Sequence, residues 1–463
     1  MSTPTSNSIA TKSVSTGGLD KSVAALIAGT KWDDGGGPAV TLTYSFPSGT
    51  AYFKSNYGDY ANTSKDGFTG QGEFYAFYAL SGAEQAGIAA ALGAWAAVAN
   101  VSFIQVADNA SVVGDLRFAL TDVADNNESA HAYYPSGSPV GGDVWFKHGE
   151  WHTSSGSTLQ KGSYDYLTAI HEIGHALGLE HPFEGKPKLS AAYDNYSYTV
   201  MSYKAHKGGD NYADFYPTTP MWFDILAMQE LYGKASHNAG NNTYTYHSNQ
   251  QYWETIYDTG GTDTIVSVGK ADVAIDLVIG HWNKLGRAID FGDGWTQAKA
   301  VMIGPDTKIE NATGGDGNDK IKGNGLKNTL EGGDGHDVLR GRGGADKLSG
   351  GADNDKLNGG KGKDQYFFKE APGHGVDTIT NFQRGEKIGL DNAAFSGIGD
   401  EGRLRAKYFV TGSAAKDADD HVIYQKKSGN IYHDADGSGH AGKELFAHVD
   451  PGTKLHAGDF IVI

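Results

Sequence analysis

The chain contains no cysteine in 463 residues. Disulfide scaffolds, thiolate metal sites and thiol nucleophiles are therefore excluded. Positive charge is scarce: 38 Lys and Arg face 55 Asp and Glu, a net charge of −17. No basic patch is available to meet phosphates, so nucleic acid is not expected as a partner. No apolar run is long enough to cross a membrane. Met1 to Gly18 is polar, rich in Ser and Thr, and lacks the apolar centre of a secretory signal. No G-x-S-x-G motif occurs, which disfavours a lipase-type serine nucleophile. What remains is chemistry carried by histidine and carboxylate, in a chain long enough for two or more domains.

Residues 171–181 read His-Glu-Ile-Gly-His-Ala-Leu-Gly-Leu-Glu-His. On a helix His171 and His175 share one face, where one metal ion can take both imidazoles. Gly178 can adopt the positive φ that ends the helix, and the turn would bring His181 back as a third nitrogen. Three protein nitrogens with one open position is the arrangement of a catalytic zinc, because structural sites are normally closed by four protein ligands. Glu172, next to the first ligand, is placed to hold a water at the metal rather than the metal itself.

Glycine is the abundant residue, at 66, and much of it falls in a repeat. From Gly314 to Phe367 six nine-residue units run without a break: GGDGNDKIK, GNGLKNTLE, GGDGHDVLR, GRGGADKLS, GGADNDKLN and GGKGKDQYF. Each unit supplies a six-residue turn and a three-residue strand, and two units make one coil. The eighth positions, Ile321, Leu330, Leu339, Leu348, Leu357 and Tyr366, form an apolar stripe. Glycine lets carbonyl oxygens crowd toward an ion while the sixth-position Asp supplies charge, which suits calcium. Asn328 breaks the pattern at the sixth position and Leu326 replaces the fourth-position glycine, so the site on that unit is expected to be incomplete. Without calcium the thin core and stacked carboxylates should leave the repeats largely unfolded.

Between these motifs, Thr41–Phe46 alternates as a strand and Ser81–Glu84 is a capping box opening an amphipathic helix with Ile88, Ala91, Leu92, Trp95 and Val98 on its buried face. Short strands are expected at 101–106 and 115–119, and an edge strand at Asp143–Phe146. A helix is expected from Asp224 to Tyr232, stopped by Gly233.

His-Glu-x-x-His-x-x-Gly-x-x-His is the pattern of the metzincin peptidases, and Thr199-Val200-Met201-Ser202-Tyr203 resembles their Met-turn. Together with the repeats, the chain resembles the serralysins. That resemblance implies an α+β metzincin-type zinc protease domain followed by an all-β parallel β-roll of the RTX type. The expected divisions are a flexible pro-segment at 1–17, a protease domain at 18–240, and a calcium roll with a C-terminal secretion signal at 241–463. One catalytic Zn2+ would be held by His171, His175, His181 and, at rest, Tyr203. Glu172 would be the general base, Tyr203 would swing to the oxyanion, and Met201 would underlie the site.

Several structural Ca2+ ions are implied as well. An early loop would use Asp258, Gly260, Gly261 and Asp263, followed by Lys308 through its carbonyl and Glu310 through its side chain. In the repeats the ligands would be Gly314, Gly315, Asp316, Gly317, Asp319, Gly332, Gly333, Asp334, Gly335, Asp337, Gly341, Gly343, Asp346, Gly350, Gly351, Asp355, Gly359 and Asp364. Asp434–Gly439 looks like the start of an EF-hand loop but has Leu445 at the twelfth position, so an Asp/Gly-rich turn is expected there. Asp459–Ile463 resembles the terminal export motif of the family. The resemblance further implies an extracellular monomer acting on protein or peptide substrates, using ABC-type secretion machinery, open to a small protein inhibitor, and without a membrane or nucleic-acid partner. In the family the edge strand pairs with the substrate. A calcium-dependent adhesin or toxin with a relic metal centre is the competing reading.

Overall fold

The structure is a computed structural model describing residues 9–48, 77–109, 111–122, 129–138, 140–151 and 159–463. It divides into two compact units. The first comprises the chain up to His237 with residues 252–258 and 289–300; the second comprises 238–251, 259–288 and 301–463.

The first unit is built on a twisted sheet. β3 (Val40–Ser45) alternates because Leu42 and Tyr44 face the core while Thr41 faces out. It lies between β5 (Val101–Gln105) and β6 (Leu116–Thr121), and β6 pairs with β8 (Asp143–Lys147), all parallel. β4 (Phe77–Tyr78) pairs antiparallel with β6. β7 (Ala130–Ala132) pairs antiparallel with β8, which corrects the expected edge. β8 is bonded on both sides and β7 is the border strand of the sheet among the described residues. A three-residue return strand is too short for alternation to reveal it.

Two helices pack together behind the sheet. α2 (Gly82–Val98) opens with the expected box, Ser81 N donating to Glu84 Oε2 at 2.6 Å and Glu84 N to Ser81 Oγ at 3.4 Å. α4 (Tyr164–Ala176) is capped by Ser163 and is buried throughout from Tyr166 to Ala176. The Trp95 indole donates to the Ile170 carbonyl at 3.0 Å, tying α2 to α4. The later helix, α5 (Trp222–Tyr232), ends at Gly233 with φ of 79°. No described helix is long and apolar enough to cross a membrane.

The N-terminal region departs from the expected flexible segment. Residues 1–8 lie outside the described residues, but β1 (Ala10–Ser13) pairs antiparallel with β2 (Thr30–Asp33). The chain between them reaches the end of α4: Ala28 N donates to Gly178 O and Glu180 N to Leu26 O, both at 2.9 Å. Gly178 has φ of 104°, and a Cβ there would lie 2.4 Å from the Thr30 carbonyl oxygen.

The second unit carries two nine-stranded sheets. In one, strands 264–268, 311–313, 329–334, 347–352, 365–368 and 387–390 run parallel; in the other, 274–276, 320–322, 338–343, 356–361 and 377–379 do. Leu330 pairs with Leu348 and Leu339 with Leu357, an offset of two nine-residue units. Ile321, Leu330, Leu339, Leu348, Leu357 and Tyr366 are fully buried between the sheets. The C-terminal residues Phe460–Val462 add a strand beside 387–390. Asp434–Gly439 forms a turn, with Asp436 Oδ2 accepting from Ala441 N.

Because Gly178 needs both its left-handed backbone and its missing side chain, Gly178→Ala should cost about 1–3 kcal/mol or more. Gly93, mid-helix with open space around it, is the control: Gly93→Ala should gain about 0.5–1 kcal/mol. Denaturant midpoints of the metal-replete proteins check both signs.

Candidate metal centres

α4 places His171 and His175 on one face, and the turn at Gly178 returns His181 to them. Their Nε2 atoms lie 3.1 Å (171–175), 3.2 Å (171–181) and 3.0 Å (175–181) apart. His171 Nδ1 donates to Val200 O and His175 Nδ1 to Leu179 O, each at 2.8 Å. With Nδ1 carrying the proton in each neutral ring, both Nε2 atoms present lone pairs, so their short separation is not mutual hydrogen bonding. Burial, with the neighbouring imidazoles, holds His171 at about 3 and His175 well below the ordinary histidine value. Burial also lowers His181, whose Nδ1 sits 3.1 Å from the Glu184 carboxylate at ion-pair distance but without hydrogen-bond alignment. Three converging, neutral imidazoles fit a first-row dication such as zinc.

Tyr203 brings its hydroxyl 2.7 Å from His181 Nε2 while its side chain remains half exposed. Glu172 is buried and lines, with His171, Tyr203, Thr168, Tyr196, Asn211 and residues 129–130 of the β7 edge, a cleft of about 330 Å³. Met201 is fully buried beneath α4: a Cβ on Gly174 would lie 2.6 Å from its sulfur. All five zinc-site residues expected from the sequence are thus together, with Met201 under them.

One important group was missed. Asp224, buried on α5, accepts from Thr199 Oγ1 at 2.6 Å and from Val200 N and Met221 N at 2.8 Å. The same Val200 supplies the carbonyl that orients His171. Asp224 therefore clamps the turn that sets the first imidazole, and burial pushes its carboxyl up to about 7 against the pull of those donors. Only its place in the first turn of a helix downstream of Met201 hinted at this.

In the second unit the sixth-position carboxylates form ladders. Asp319 N donates to Asp337 Oδ1, Asp337 N to Asp355 Oδ1, and Asp346 N to Asp364 Oδ1, at 2.7–2.9 Å. The other oxygen, Oδ2, is buried with no donor in Asp337, Asp346, Asp355 and Asp364. At Asp337 and Asp346 these oxygens meet carbonyls of the next turn: a Cβ on Gly332 would lie 2.0 Å from Asp337 Oδ2 and 2.3 Å from Gly350 O, and one on Gly341 2.2 Å from Asp346 Oδ2 and 2.5 Å from Gly359 O, while Gly314, Gly350 and Gly359 face Asp319, Asp355 and Asp364. Burial pushes Asp337 and Asp346 up to about 7. A dry cluster of oxygen lone pairs without donors fits calcium.

Gly315, Gly317, Gly333, Gly335 and Gly351 let adjacent turns stack closely, and Gly343 lies in the strand running into turn 341–346. Asp316 and Asp334 are exposed. In the early loop, Asp263 is buried, its Oδ1 accepts from Asn242 N, and its N–H donates to Glu310 Oε2. Gly260 and Gly261 have positive φ, the Lys308 side chain is exposed, and Asp258 is buried in the first unit.

One further acid extends a ladder and a second lies buried beyond the repeats. Asp355 N donates to Asp377 Oδ1 at 3.1 Å, and Glu386 Oε1 is buried without a donor. A four-residue insertion, visible as Leu357 pairing with Ile379, breaks the nine-residue spacing and hides both from a repeat count.

The sequence model of the matrixin peptidases matches residues 79–206, spanning the three histidines and Met201. That of the RTX calcium-binding nonapeptide repeat matches 308–337 and 331–366. Serralysin G of Dickeya chrysanthemi is 35% identical over 387 residues, 78% of this chain and 74% of that protein. The chain belongs to the serralysin family. Serralysin of Proteus mirabilis is 32% identical over 64% of this chain and 61% of its own length, and metallopeptidase AprA of Pseudomonas marginalis 32% over 64% and 63%. The chain therefore matches less than two thirds of the length of these last two relatives. Serralysin membership brings a catalytic zinc and several structural calcium ions as cofactors.

Removing the Asp224 carboxylate strands the Thr199 hydroxyl and Val200 N–H of the turn that orients His171, and Met221 N–H at the start of α5. Asp224→Ala should lower zinc affinity about 10–100-fold, the scale of lost outer-shell partners, as read by competition with a chromogenic chelator. Exhaustive calcium removal should abolish most far-ultraviolet strand signal from the second unit, and added calcium should restore it.

Proposed function

We propose that this serralysin is a secreted zinc endopeptidase that hydrolyses protein substrates. The observation that carries the reading is the meeting of three neutral imidazoles, two of them oriented by backbone carbonyls, with a buried glutamate on an open cleft. Zinc held by His171, His175 and His181, with Tyr203 as the resting fourth ligand, would supply Lewis acidity that lowers the pKa of water toward about 7.

The chain's own residues do the rest. β7, whose outer side borders no described strand, pairs with an extended peptide as one more strand. Residues 129–130 line the cleft at that edge. Glu172 takes the proton of the attacking water and returns it to the leaving amine. Tyr203 is half exposed and turns from His181 toward the substrate carbonyl, where its hydroxyl hydrogen-bonds the developing oxyanion. Asp224 and Val200 hold the His171 ring so that none of this geometry is assembled during turnover.

The second unit folds when calcium fills the oxygen clusters between its turns. In a cytosol poor in free calcium, repulsion among the same carboxylates keeps it open for ABC-type export, and the terminal strand at Phe460–Val462 carries the address. Residues 1–17 are a removable pro-segment, 18–240 the protease domain and 241–463 the roll, apart from 252–258 and 289–300, which belong to the first unit. The donor-free Oδ2 atoms support the calcium part of this reading, and family membership supports export.

Casein hydrolysis with zinc content measured in parallel tests the catalytic part. Glu172→Gln should keep zinc and lose about 10²–10⁴-fold in kcat, while Tyr203→Phe should lose kcat with little change in KM. Near-normal turnover in Glu172→Gln, or no zinc-dependent hydrolysis in the wild type, would overturn the assignment and leave a calcium-dependent adhesin.

A further inference from the structure

The turn at 323–328 sits where a calcium cluster would be expected, yet its groups are already engaged. A Cβ on Gly323 would lie 2.2 Å from Asn328 Oδ1 and 2.6 Å from Gly341 O, matching Gly341 with Asp346 Oδ2 at 2.2 Å and Gly359 O at 2.5 Å. The position is equivalent, but the chemistry differs. Asn328 is neutral, and its Oδ1 accepts from Asn324 N at 2.8 Å. Its Nδ2 donates to Glu310 O at 2.8 Å and Asn324 Oδ1 at 3.1 Å. The Asn324 amide donates to Ile309 O and Leu277 O. Carbonyls of the preceding turns that could turn toward a cation are thus satisfied by amide donors.

A positive charge is also built in. Arg342 occupies the second position of its unit, where Gly333, Gly351 and Gly360 have φ of 98–114°. It holds φ of 73° although it is not glycine. Its Nη1 donates to Gly323 O and to Asp276 Oδ1, both at 2.7 Å, and Nη2 donates to Asp276 Oδ2 at 2.8 Å. His281 Nδ1 lies 3.2 Å from the same carboxylate. The guanidinium staples three neighbouring strands: 274–276, 320–322 and its own 338–343. Its guanidinium forms the planar two-point pair with carboxylate that a lysine cannot.

We propose that Arg342, with Asn324 and Asn328, replaces the calcium ion between turns 323–328 and 341–346. This seam of the roll is then held without metal, beside turns that depend on it. A dication at this place would meet a neutral asparagine in place of a carboxylate, its amide oxygen already accepting from Asn324 N, beside a fixed positive charge bonded to the neighbouring Gly323 carbonyl. The seam joins residues 66 apart in the chain. It therefore gives the coil a calcium-independent register from which the remaining turns stack as calcium arrives.

The test uses the full chain, stripped with chelator and refilled with calcium alone. Native mass spectrometry counts the ions, and circular dichroism gives the calcium concentration at half-refolding. The double variant Asn328→Asp/Arg342→Gly should hold one more calcium than the wild type. Arg342→Gly alone should need several-fold more calcium to refold, and Arg342→Lys should not restore the wild-type midpoint. Equal calcium counts in wild type and double variant, or an unchanged midpoint in Arg342→Gly, would overturn the proposal. Should the double variant not fold, the single-variant midpoint decides. The inference rests on the neighbouring turns being calcium sites; failure of that reading appears separately, as wild-type refolding indifferent to calcium.

Discussion

Three imidazole lone pairs held within about 3.2 Å of one another repel unless a cation lies among them. The first unit is organised around imposing that convergence. Two histidines are fixed by donating their other ring nitrogen to a backbone carbonyl, and the third arrives through a glycine turn pinned against the Thr30 carbonyl. Burial keeps the rings neutral, so they can ligate rather than titrate. The second unit solves a related problem with oxygen. Carboxylates spend one oxygen on the ladder and leave the other dry and without a donor.

The layer behind each centre explains why the geometry persists. Asp224 accepts two hydrogen bonds from the segment containing Val200 and a third from Met221 N at the start of its own helix, and Val200 in turn orients His171. Met201 fills the space under Gly174, where any side chain would collide with its sulfur. In the roll, fully buried Leu and Tyr side chains stack every 18 residues, so the turns superimpose and the oxygen clusters repeat. Arg342 shows that the same backbone frame tolerates an organic cation where the carboxylate is missing.

Much of this was legible in the residues. Spacing of the histidines and the nine-residue period determine which side chains face one ion, because helix and coil geometry are periodic. The capping box at Ser81, the stop at Gly233 and the apolar stripe from Ile321 to Tyr366 follow from equally local rules. What escaped depends on pairing at a distance. The border strand is Ala130–Ala132, three residues that only their partner makes a strand. Ala10–Ser13 is held by residues 30–33 rather than by any pattern of its own. Asp224 looks like an ordinary helix-start acid until the turn it clamps is folded against it. Asp377 and Glu386 fall out of register by four residues, and Arg342 reads as a blemish in a glycine motif until Asp276 faces it.

The geometry calls for one zinc in the histidine cluster, with a coordination position served by oxygen. X-ray absorption at the zinc edge of the purified, fully loaded protein measures this directly. The expected result is one zinc per chain with three nitrogen neighbours at about 2.0–2.1 Å and oxygen as the remaining bonded neighbour. Absence of zinc from the cluster, or a fourth nitrogen closing its shell, would contradict it.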